Sequence, residues 1–380
     1  MTPRSPGPPT VCPTMEKVRH TPRNVSVDVA VIGAGPAGAT ASAALAGAGL
    51  KVALLHRDGV RAGAAEETLV PAARRVLERS GALECVEKLG FHGRALHASV
   101  WSEPVLRVRD EREQERGFQV ERRAFDAALR ERATQAGAQL VEVGQVGIDD
   151  RGHEVRARTA DAGEFVFEAR AIIVATGRAT PDSLARLATV VELPATLALS
   201  TTLSVQHALA QTNAIEAVRE GWLWWLPLAD GRVELTLFCD REEERSVGRE
   251  ALWAAALGGA VGPARDVQAR VERGTLATAR LRASSAPVLV CGDASCALDP
   301  LSSQGLETAL ASAQHAAHCA RSVVEGRSEL GFAALERRAW DARLWYAHRR
   351  QTVEFLRSER RFVDAPFWRA RQALESTPPH

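Results

Sequence analysis

The sequence predicts an α/β fold in which a parallel sheet is interleaved with a smaller antiparallel sheet and followed by C-terminal helices. A strand, a glycine-rich turn, a helix and a second strand succeed one another over Asp28–Leu55, which is the pattern of a βαβ unit. Two later strands, Ala171–Ala175 and Pro287–Cys291, have the continuous hydrophobicity of strands buried on both faces. Between them, Leu187–Arg282 contains alternating segments typical of a half-buried antiparallel sheet. Since 380 residues suffice for two domains, we predict that the second domain is inserted into the first.

Composition and patterning divide the chain into successive parts. Residues 1–25 are rich in proline and are predicted to be a disordered tail. Residues 26–186 and 283–330 are predicted to form the two parts of the larger α/β domain, with the smaller domain over residues 187–282. Residues 331–380 are predicted to form the C-terminal helices.

Apolar spacing predicts the individual elements. Helices are expected where apolar residues recur at helical spacing, namely Ala37–Ala48, Pro71–Ser80, Ala124–Ala136 and Gly305–Val324, with one or two more within Phe332–Leu374. Strands are expected at Asp28–Ile32, Lys51–Leu55, near Gln139–Val146, Glu164–Glu168, Ala171–Ala175, Thr201–Val205, Val233–Phe238 and Pro287–Cys291.

Composition also indicates which binding partners and which cellular compartment are expected for the protein. The formal net charge is +1 at pH 7, which gives no electrostatic basis for binding nucleic acid or an anionic membrane. Six scattered cysteines and the lack of an apolar signal segment favour a reduced, cytoplasmic protein. The uncharged stretch Val29–Leu50 has the length of a membrane span, but its glycines and its change from strand to helix pattern make a span the poorer interpretation.

The turn after the first strand is the first candidate ligand site. It reads Gly33-Ala34-Gly35-Pro36-Ala37-Gly38. The first glycine permits a tight turn, the second lets the backbone approach a pyrophosphate, and the third lets the helix pack closely on the strand. Where a carboxylate normally accepts the ribose hydroxyls, the chain has His56 and Arg57. A neutral histidine accepts one hydrogen bond, whereas an arginine suits the 2′-phosphate of NADP.

Later motifs favour a flavin over NADP. Ala175-Thr176-Gly177 ends one buried strand and Gly292-Asp293 ends the other. We expect Asp293 to point towards a ribityl chain and the loop Asp299–Gly305 to wrap an isoalloxazine ring. The helix that begins near Gly305 then directs its positive end at the pyrimidine edge of reduced flavin. The set therefore predicts FAD, held by Gly33, Ala34, Gly35, Pro36, Ala37, Gly38, His56, Arg57, Gly177, Gly292, Asp293, Pro300, Ser303 and Gly305.

Further motifs lie at Glu67–Pro71, Arg122–Asp126, Trp222–Pro227 and Glu359–Arg371. With these motifs, residues 27–370 resemble the FAD-dependent monooxygenases and halogenases of the hydroxybenzoate-hydroxylase-like fold. The resemblance is greatest to the tryptophan-halogenase-like branch, and within it to flavoproteins that mature quinone-cofactor amine and amino-acid oxidases. It implies that Glu67 and Arg122 lie beside the flavin. The chain departs from the branch at Glu66, where the branch has glycine.

The resemblance implies an oxygen-dependent reaction on an aromatic ring. We predict hydroxylation of an indole, tryptophan-like or phenolic substrate, with a peptidyl tryptophan among the candidates, through a flavin C4a-hydroperoxide kept dry by tryptophans. Electrons would come from NAD(P)H or from reduced flavin supplied by a partner reductase.

Three alternatives stay open: a flavin-dependent halogenase, a geranylgeranyl-type prenyl reductase, and a protein that binds flavin without catalysis. By resemblance, halogenases need a tunnel lysine shortly before a tryptophan that is Trp101 here. That position is Gly93, and the nearby Lys88 has the surroundings of a solvated helix end. An arginine does not replace the lysine readily, since it stays protonated. Halogenation is therefore disfavoured at this point.

The weak catalytic candidates are Trp222, Trp224, Trp101, His92 and His97. Strand alternation puts Trp222 and Trp224 on one face and Trp225 on the other, so at most one face borders the site. Core packing explains each of these tryptophans equally well.

Two further groups of reactive side chains receive structural interpretations. His315 and His318 have ligand spacing on a helix but lack a third ligand at a supporting spacing, so no metal site is predicted. Cys291 and Cys296 flank the Gly292-Asp293 turn and are predicted to be packing thiols.

Overall fold

A computed structural model describes residues 22–57, 66–89, 96–110, 117–159, 163–179, 188–205 and 212–375. The strands are β1 (Arg23–Ile32), β2 (Val52–His56), β3 (Glu66–Leu69), β4 (Leu96–Val100), β5 (Arg107–Asp110), β6 (Phe118–Glu121), β7 (Gln139–Glu142), β8 (Gln145–Ile148), β9 (Glu154–Arg158), β10 (Glu164–Val174), β11 (Ala188–Glu192), β12 (Thr196–Leu203), β13 (Asn213–Val218), β14 (Gly221–Pro227), β15 (Val233–Asp240), β16 (Arg273–Leu276), β17 (Arg280–Ser284), β18 (Leu289–Val290) and β19 (Cys296–Ala297). The helices are α1 (Pro36–Gly47), α2 (Ala73–Arg79), α3 (Leu83–Glu87), α4 (Arg122–Gln135), α5 (Arg241–Val247), α6 (Arg249–Gly259), α7 (Gly305–Val324), α8 (Leu330–Ser358) and α9 (Pro366–Gln372).

The larger sheet has the strand order β7-β2-β1-β10-β9-β8, with β18 beside β10. Strands β1, β2, β7, β10 and β18 run parallel, so the turns that follow β1, β10 and β18 emerge at one edge of the sheet. The motifs that begin at Gly33, Ala175 and Cys291 meet there. Helices α1 and α7 share one apolar cluster on a face of this sheet, which includes Ala41 and Ala316.

Pairing partners shift several predicted boundaries. β10 is one continuous strand where two were predicted, because it pairs with β1 along its whole length. β1 begins at Arg23, inside the predicted tail, because Arg23 pairs with Phe165. The predicted Gln139–Val146 strand divides near Gly144 into β7 and β8, which lie at opposite edges of the sheet. Residues 1–21 of the predicted tail lie outside the described residues.

The smaller sheet has the strand order β16-β12-β15-β14-β13-β4-β5. Its strands β4 and β5 come from residues 96–110. These residues were predicted to belong to the first part of the larger domain. One face packs on α6 through an apolar cluster that contains Leu223, Trp225 and Trp253. The opposite face looks towards the larger sheet.

A C-terminal clamp, residues Phe355–Gln372, holds the last two helices against the smaller sheet. The fully buried carboxylate of Glu359 accepts hydrogen bonds from the backbone N–H groups of Ser102 (2.8 Å) and Arg361 (2.7 Å). The Arg361 side chain also donates to it through Nε at 2.9 Å. Further along, Trp368 Nε1 donates to a carbonyl oxygen at the end of β13 at 2.8 Å. The prediction of one or two C-terminal helices is confirmed by α8 and α9.

Helices in the described ranges do not combine the length and the apolarity that crossing a bilayer requires. The uncharged stretch Val29–Leu50 folds as strand, turn and helix.

Candidate functional site

One cavity of about 1630 Å³ runs from the motif-bearing edge of the larger sheet to the smaller sheet. Ligand pockets usually measure ~300–1,000 Å³, so this cavity has room for more than one ligand. Most of the predicted site residues line it: Gly33, Ala34, Gly35, Pro36, Ala37, His56, Arg57, Glu67, Arg122, Gly177, Trp222, Trp224, Gly292, Asp293, Pro300, Ser303 and Gly305.

The glycine turn forms a cradle whose shape depends on missing side chains. Gly33 has φ +104°, and a Cβ there would lie 2.4 Å from the carbonyl oxygen of Ala175. A Cβ on Gly38 would lie 1.7 Å from the carbonyl oxygen of Gly33, so Gly38 acts through helix packing and does not line the cavity. A Cβ on Gly35 would meet nothing within 4 Å, which leaves this backbone open to the cavity. Since α1 begins at Pro36 without a side-chain cap, its N-terminus fits a pyrophosphate.

The N-terminus of α7 also faces the cavity. Ser303 has φ +53°, and the side chain of Asp299 accepts a hydrogen bond from Leu301 N at 3.0 Å, which caps the preceding turn. Burial raises the pKa of Asp299, and the hydrogen bond from Leu301 opposes that rise. Gln304, the N-cap residue of α7, makes no side-chain capping bond. The partial positive charge of the helix end is therefore directed at the cavity beside Gly305. An electron-rich ring system bound there would be stabilised by this charge.

Arg122 lies behind Glu67 on the cavity wall. Its side chain is 4% exposed and forms ion pairs with Glu67 and, at 3.1 Å, with Asp126. Burial acts to lower the pKa of Arg122, but the two carboxylates raise it overall. Because both carboxylates share its charge, Arg122 can position Glu67 but has little charge left for a ligand.

Five arginines that were not predicted from the sequence also line the cavity: Arg130, Arg156, Arg158, Arg178 and Arg273. Arg130 lies about two turns after Arg122 on the same side of α4, and its Nη1 is 3.4 Å from the carbonyl oxygen of Ala34. Arg178 lies with its Nε 3.5 Å from Asp293 Oδ2. Arg130 could have been predicted from the sequence, because it follows Arg122 at helical spacing.

Aromatic side chains form the wall of the cavity on the smaller sheet. Trp222 stacks on Phe238 with ring centroids 4.0 Å apart, and Trp224 lies beside them in the same cluster. Trp225 points to the opposite face and packs with Trp253, which confirms the predicted alternation. One face of β14 therefore borders the cavity, and the other belongs to the core.

A polar row adjoins this aromatic wall. Arg273, Ser200, Thr236 and Trp224 occupy facing positions on four neighbouring strands, and all line the cavity. The hydroxyl oxygens of Ser200 and Thr236 are 3.0 Å apart. Arg273 Nη2 lies 2.8 Å from Oε1 of Glu234, whose side chain is 2% exposed. The floor is thus aromatic at one end and charged at the other.

Glu66 ties the two sides of the cavity together. Its buried carboxylate accepts hydrogen bonds from Gln119 Nε2 at 2.5 Å and from Ala229 N at 2.9 Å. Gln119 also donates to the carbonyl oxygen of Pro227 at the end of β14. The antiparallel pair of β3 and β6, which presents Glu67 to the cavity, is thereby joined to the strand that carries the tryptophans.

Two described catalytic candidates from the sequence, Trp101 and His97, do not join this site. Trp101 packs on Phe355, with ring centroids 4.6 Å apart, and its Nε1 donates to Ser358 Oγ at 3.1 Å, so it belongs to the C-terminal clamp and does not line the cavity. His97 lies on β4, two strands beyond β14, and is also absent from the cavity lining. His92 lies outside the described residues.

A cluster of polar side chains joins α7 to α8. Ligand atoms of His315, Cys319 and Glu336 lie within 4.8 Å of one another, so the fold supplies a carboxylate that the sequence spacing did not. Arg337 Nη1 lies 3.2 Å from His315 Nδ1. Burial, and then the charge of Arg337, lowers the pKa of His315 to about 4. The positively charged guanidinium of Arg337 already lies against His315, which disfavours a metal ion in this cluster.

The thiols of Cys291 and Cys296 are both free and buried. Burial raises the pKa of Cys291 to about 12 and also raises the pKa of Cys296. Thiols that stay protonated at neutral pH are poor nucleophiles, so their surroundings fit the predicted packing role.

Comparison with solved structures assigns the class of fold. The chain is similar to the myxobacterial chondrochloren halogenase CndH, an FAD-dependent halogenase, with a TM-score of 0.76 and 24% identity over 92% of this chain and 86% of that chain. It is also similar to QhpG, a peptidyl tryptophan dihydroxylase, with a TM-score of 0.73 and 25% identity over 92% and 79% of the two chains. The predicted fold class is confirmed: the fold is that of the FAD-dependent halogenases.

Residues 102–380 match the family model described as tryptophan halogenase. The chain belongs to the tryptophan halogenase family, which confirms the resemblance drawn from its sequence. It is 27% identical over 338 residues to a tryptophan 2-halogenase from Chondromyces crocatus, covering 81% of this chain and 63% of that protein. It is 30% identical over 176 residues to a 1H-pyrrole-2-carbonyl-(peptidyl-carrier protein) chlorinase from Pseudomonas fluorescens, covering 40% and 39% of the two chains. The chain thus spans less than two thirds of the length of either relative.

Proposed function

We propose that this chain binds FAD and uses reduced flavin and O₂ to modify an aromatic substrate. The observation that carries the proposal is the single cavity that joins the glycine cradle at Gly33–Gly35 to the aromatic wall at Trp222 and Trp224. A pyrophosphate fits at the N-terminus of α1, and an electron-rich ring system fits at the N-terminus of α7. The bound flavin would supply the oxidising chemistry, because no side chain activates O₂ in this way.

The chain's own residues hold the reactants and exclude water. Arg122 positions Glu67 at the wall, and Arg130 adds positive charge beside the glycine turn. The stacked pair Trp222 and Phe238 provides the apolar surface against which an aromatic ring would lie. Such a surface keeps water from the reacting atoms.

Halogenation of the aromatic ring takes first place in the proposal. The family model and three of the four similar proteins are halogenases, so the comparisons support halogenation better than the hydroxylation predicted from the sequence. The substrate classes that they suggest are a free aromatic amino acid or an aromatic group presented by a protein or peptide.

Hydroxylation remains the second candidate because of the distribution of lysines. The sequence contains only Lys17, Lys51 and Lys88. The side chain of Lys88 is 71% exposed and pairs with Glu84 at 2.8 Å, while Lys51 precedes β2 at the end of the sheet opposite the glycine turn. Within the described part of the chain, no lysine lines the cavity, whereas by resemblance a halogenase needs one there. Residue 93, which corresponds to that lysine, lies outside the described residues, as does Lys17.

One experiment separates the candidates. The purified protein is incubated with FAD, its absorption spectrum is recorded, and reduced flavin is supplied by a flavin reductase with NADH under air. Tryptophan, a pyrrole and a phenol are each offered with and without bromide, and the products are analysed by mass spectrometry. A brominated product supports halogenation, and an oxygenated product that forms without bromide supports hydroxylation. Protein that remains colourless after incubation with FAD overturns the proposal, and so does flavin oxidation that leaves every substrate unchanged.

A prenyl reductase is tested in the same preparation without air. Reduction of a geranylgeranyl group would proceed anaerobically, whereas halogenation and hydroxylation both stop without O₂.

A further inference from the structure

We infer that Arg273 selects aromatic substrates that carry a carboxylate, and that Glu234 is a positioning residue that holds the guanidinium for this task. The inference rests on the proposed function, since it concerns the substrate half of the same cavity. It adds the chemical class of the substrate, an aromatic acid that is free in solution, in place of a neutral group attached to a carrier or peptide.

The dimensions of the polar row carry the first step. Arg273 and Trp224 occupy facing positions on β16 and β14, separated by β12 and β15. Neighbouring strands lie ~4.8 Å apart, so the two backbones are about 14 Å apart. Both side chains reach into this interval, and the space between them suits one aromatic ring with a short chain. The ring would lie at the Trp224 end, and the hydroxyls of Ser200 and Thr236 would lie beneath the chain.

The orientation of the guanidinium carries the second step. Glu234 is 2% exposed and bonds to Nη2 of Arg273, whereas the Arg273 side chain is 41% exposed. A guanidinium has five N–H donors in a rigid planar fork, so one edge is available to a second carboxylate while the other is held. Glu272 also lies near Nη1, at 4.0 Å, but it is 53% exposed and water screens its charge.

The chemistry of the anchor carries the third step. A bidentate arginine–carboxylate pair has two parallel, charge-assisted hydrogen bonds, which a neutral amide or thioester cannot reproduce. A substrate attached through its carbonyl to a carrier protein lacks the carboxylate, and so does a tryptophan within a peptide chain. Arg273 therefore discriminates between substrates that share the same ring.

The test compares acids with their amides on FAD-loaded protein. The probes are indole-3-propionate, pyrrole-2-carboxylate and 4-hydroxyphenylacetate, each with its primary amide, and dissociation constants are measured by calorimetry. In the wild type, we expect the acid of at least one pair to bind about tenfold or more tightly than its amide. Equal affinities within all pairs, or no measurable binding of any probe, overturn the inference.

Variants assign the preference to the pair of residues. Arg273→Lys keeps a positive charge beside Glu234 but loses the planar fork, so the acid preference should fall several-fold while the affinity for the amide stays unchanged. The double variant Arg273→Met/Glu234→Gln removes both charges together, which avoids an unpaired buried carboxylate, and should abolish the preference. Arg270→Met is the matched control, since Arg270 is exposed and lies outside the cavity lining. Retention of the acid preference in both Arg273 variants overturns the inference.

The role of Glu234 has its own readout. Glu234→Gln should lower the ratio of acid to amide affinity while the amide affinity stays constant, because the fork loses its orientation. A purely structural Glu234 would weaken both ligands alike, and that result overturns its positioning role. Failure to load FAD would count against the proposed function, whereas FAD-loaded protein without acid preference counts against this inference alone.

Discussion

Replacement of Gly35 by alanine tests the cradle directly. Gly35 has φ −76° and ψ −172°, which any residue adopts, and its Cβ would meet nothing within 4 Å. The protein should therefore fold normally, while the new methyl group occupies the place where a pyrophosphate approaches the backbone. Loss of one hydrogen bond to a charged group costs about 1.5–3 kcal/mol. That energy corresponds to a dissociation constant for FAD roughly 10- to 150-fold higher.

The assay is a titration with FAD followed by quenching of flavin fluorescence, together with a thermal melt of the protein without cofactor. Gly47→Ala is the matched control, because its Cβ also meets nothing within 4 Å and it lies in the last turn of the same helix, away from the cavity. Gly47→Ala should bind FAD like the wild type. If Gly35→Ala also binds FAD with wild-type affinity, a pyrophosphate does not approach this backbone and the cradle is misassigned.

Further predictions concern stability and the aromatic wall. Glu359→Ala leaves the donors of the C-terminal clamp without their buried carboxylate and should lower the free energy of unfolding by about 3–5 kcal/mol; an unchanged denaturation midpoint would contradict the role of the clamp. Trp225→Ala should cost about 3–5 kcal/mol because it leaves a hole in the core, and a large loss of FAD affinity in a folded variant would argue against its position outside the cavity. Burial lowers the pKa of both His315 and His348 from 6.5 to about 4, so the unfolded chain takes up protons first and stability should be lost as pH falls between these values. A double His315→Gln/His348→Gln variant should flatten that decline in melting temperature, and a decline equal to that of the wild type would refute the assignment. Trp224→Ala should release more hydrogen peroxide per reduced flavin oxidised, because water reaches the cavity; an unaltered peroxide yield would show that Trp224 does not exclude water.

Local chemistry made much of the fold and of the cofactor half of the cavity predictable. The turn at Gly33 needs a positive φ and a close approach to Ala175. Only glycine meets both requirements, so a short local motif reveals this turn in the sequence. The alternation of Trp222 and Trp225 follows from strand geometry alone. α7 spans Gly305–Val324, the range that its alanine-rich helical pattern predicts.

Features that depend on distant pairing were not predictable. The alignment of Arg273 with Ser200 requires the register between β16 and β12, which no local pattern encodes. Trp101 was a site candidate because of the resemblance to halogenases, but Phe355 and Ser358, from far along the chain, pack against it. The carboxylate of Glu336 reaches His315 only because α7 and α8 pack together.

The choice between halogenation and hydroxylation marks another limit of the sequence. The small number of lysines favoured hydroxylation, whereas the family and its relatives favour halogenation. The number of lysines in the sequence does not show which side chain lies beside the substrate, and the reaction depends on that side chain. The bromide experiment decides between the two reactions because it follows the atom that is transferred.

Glu66 restricts how far the β3–β6 pair can move relative to β14. One carboxylate accepts hydrogen bonds from Gln119 and from the backbone at Ala229, which joins the β3–β6 pair to the end of the tryptophan-bearing strand β14. Separation of the β3–β6 pair from β14 would break these bonds and leave a buried carboxylate without its partners. The width of the cavity between Glu67 and the tryptophans is therefore set by bonds within the protein, before any ligand binds.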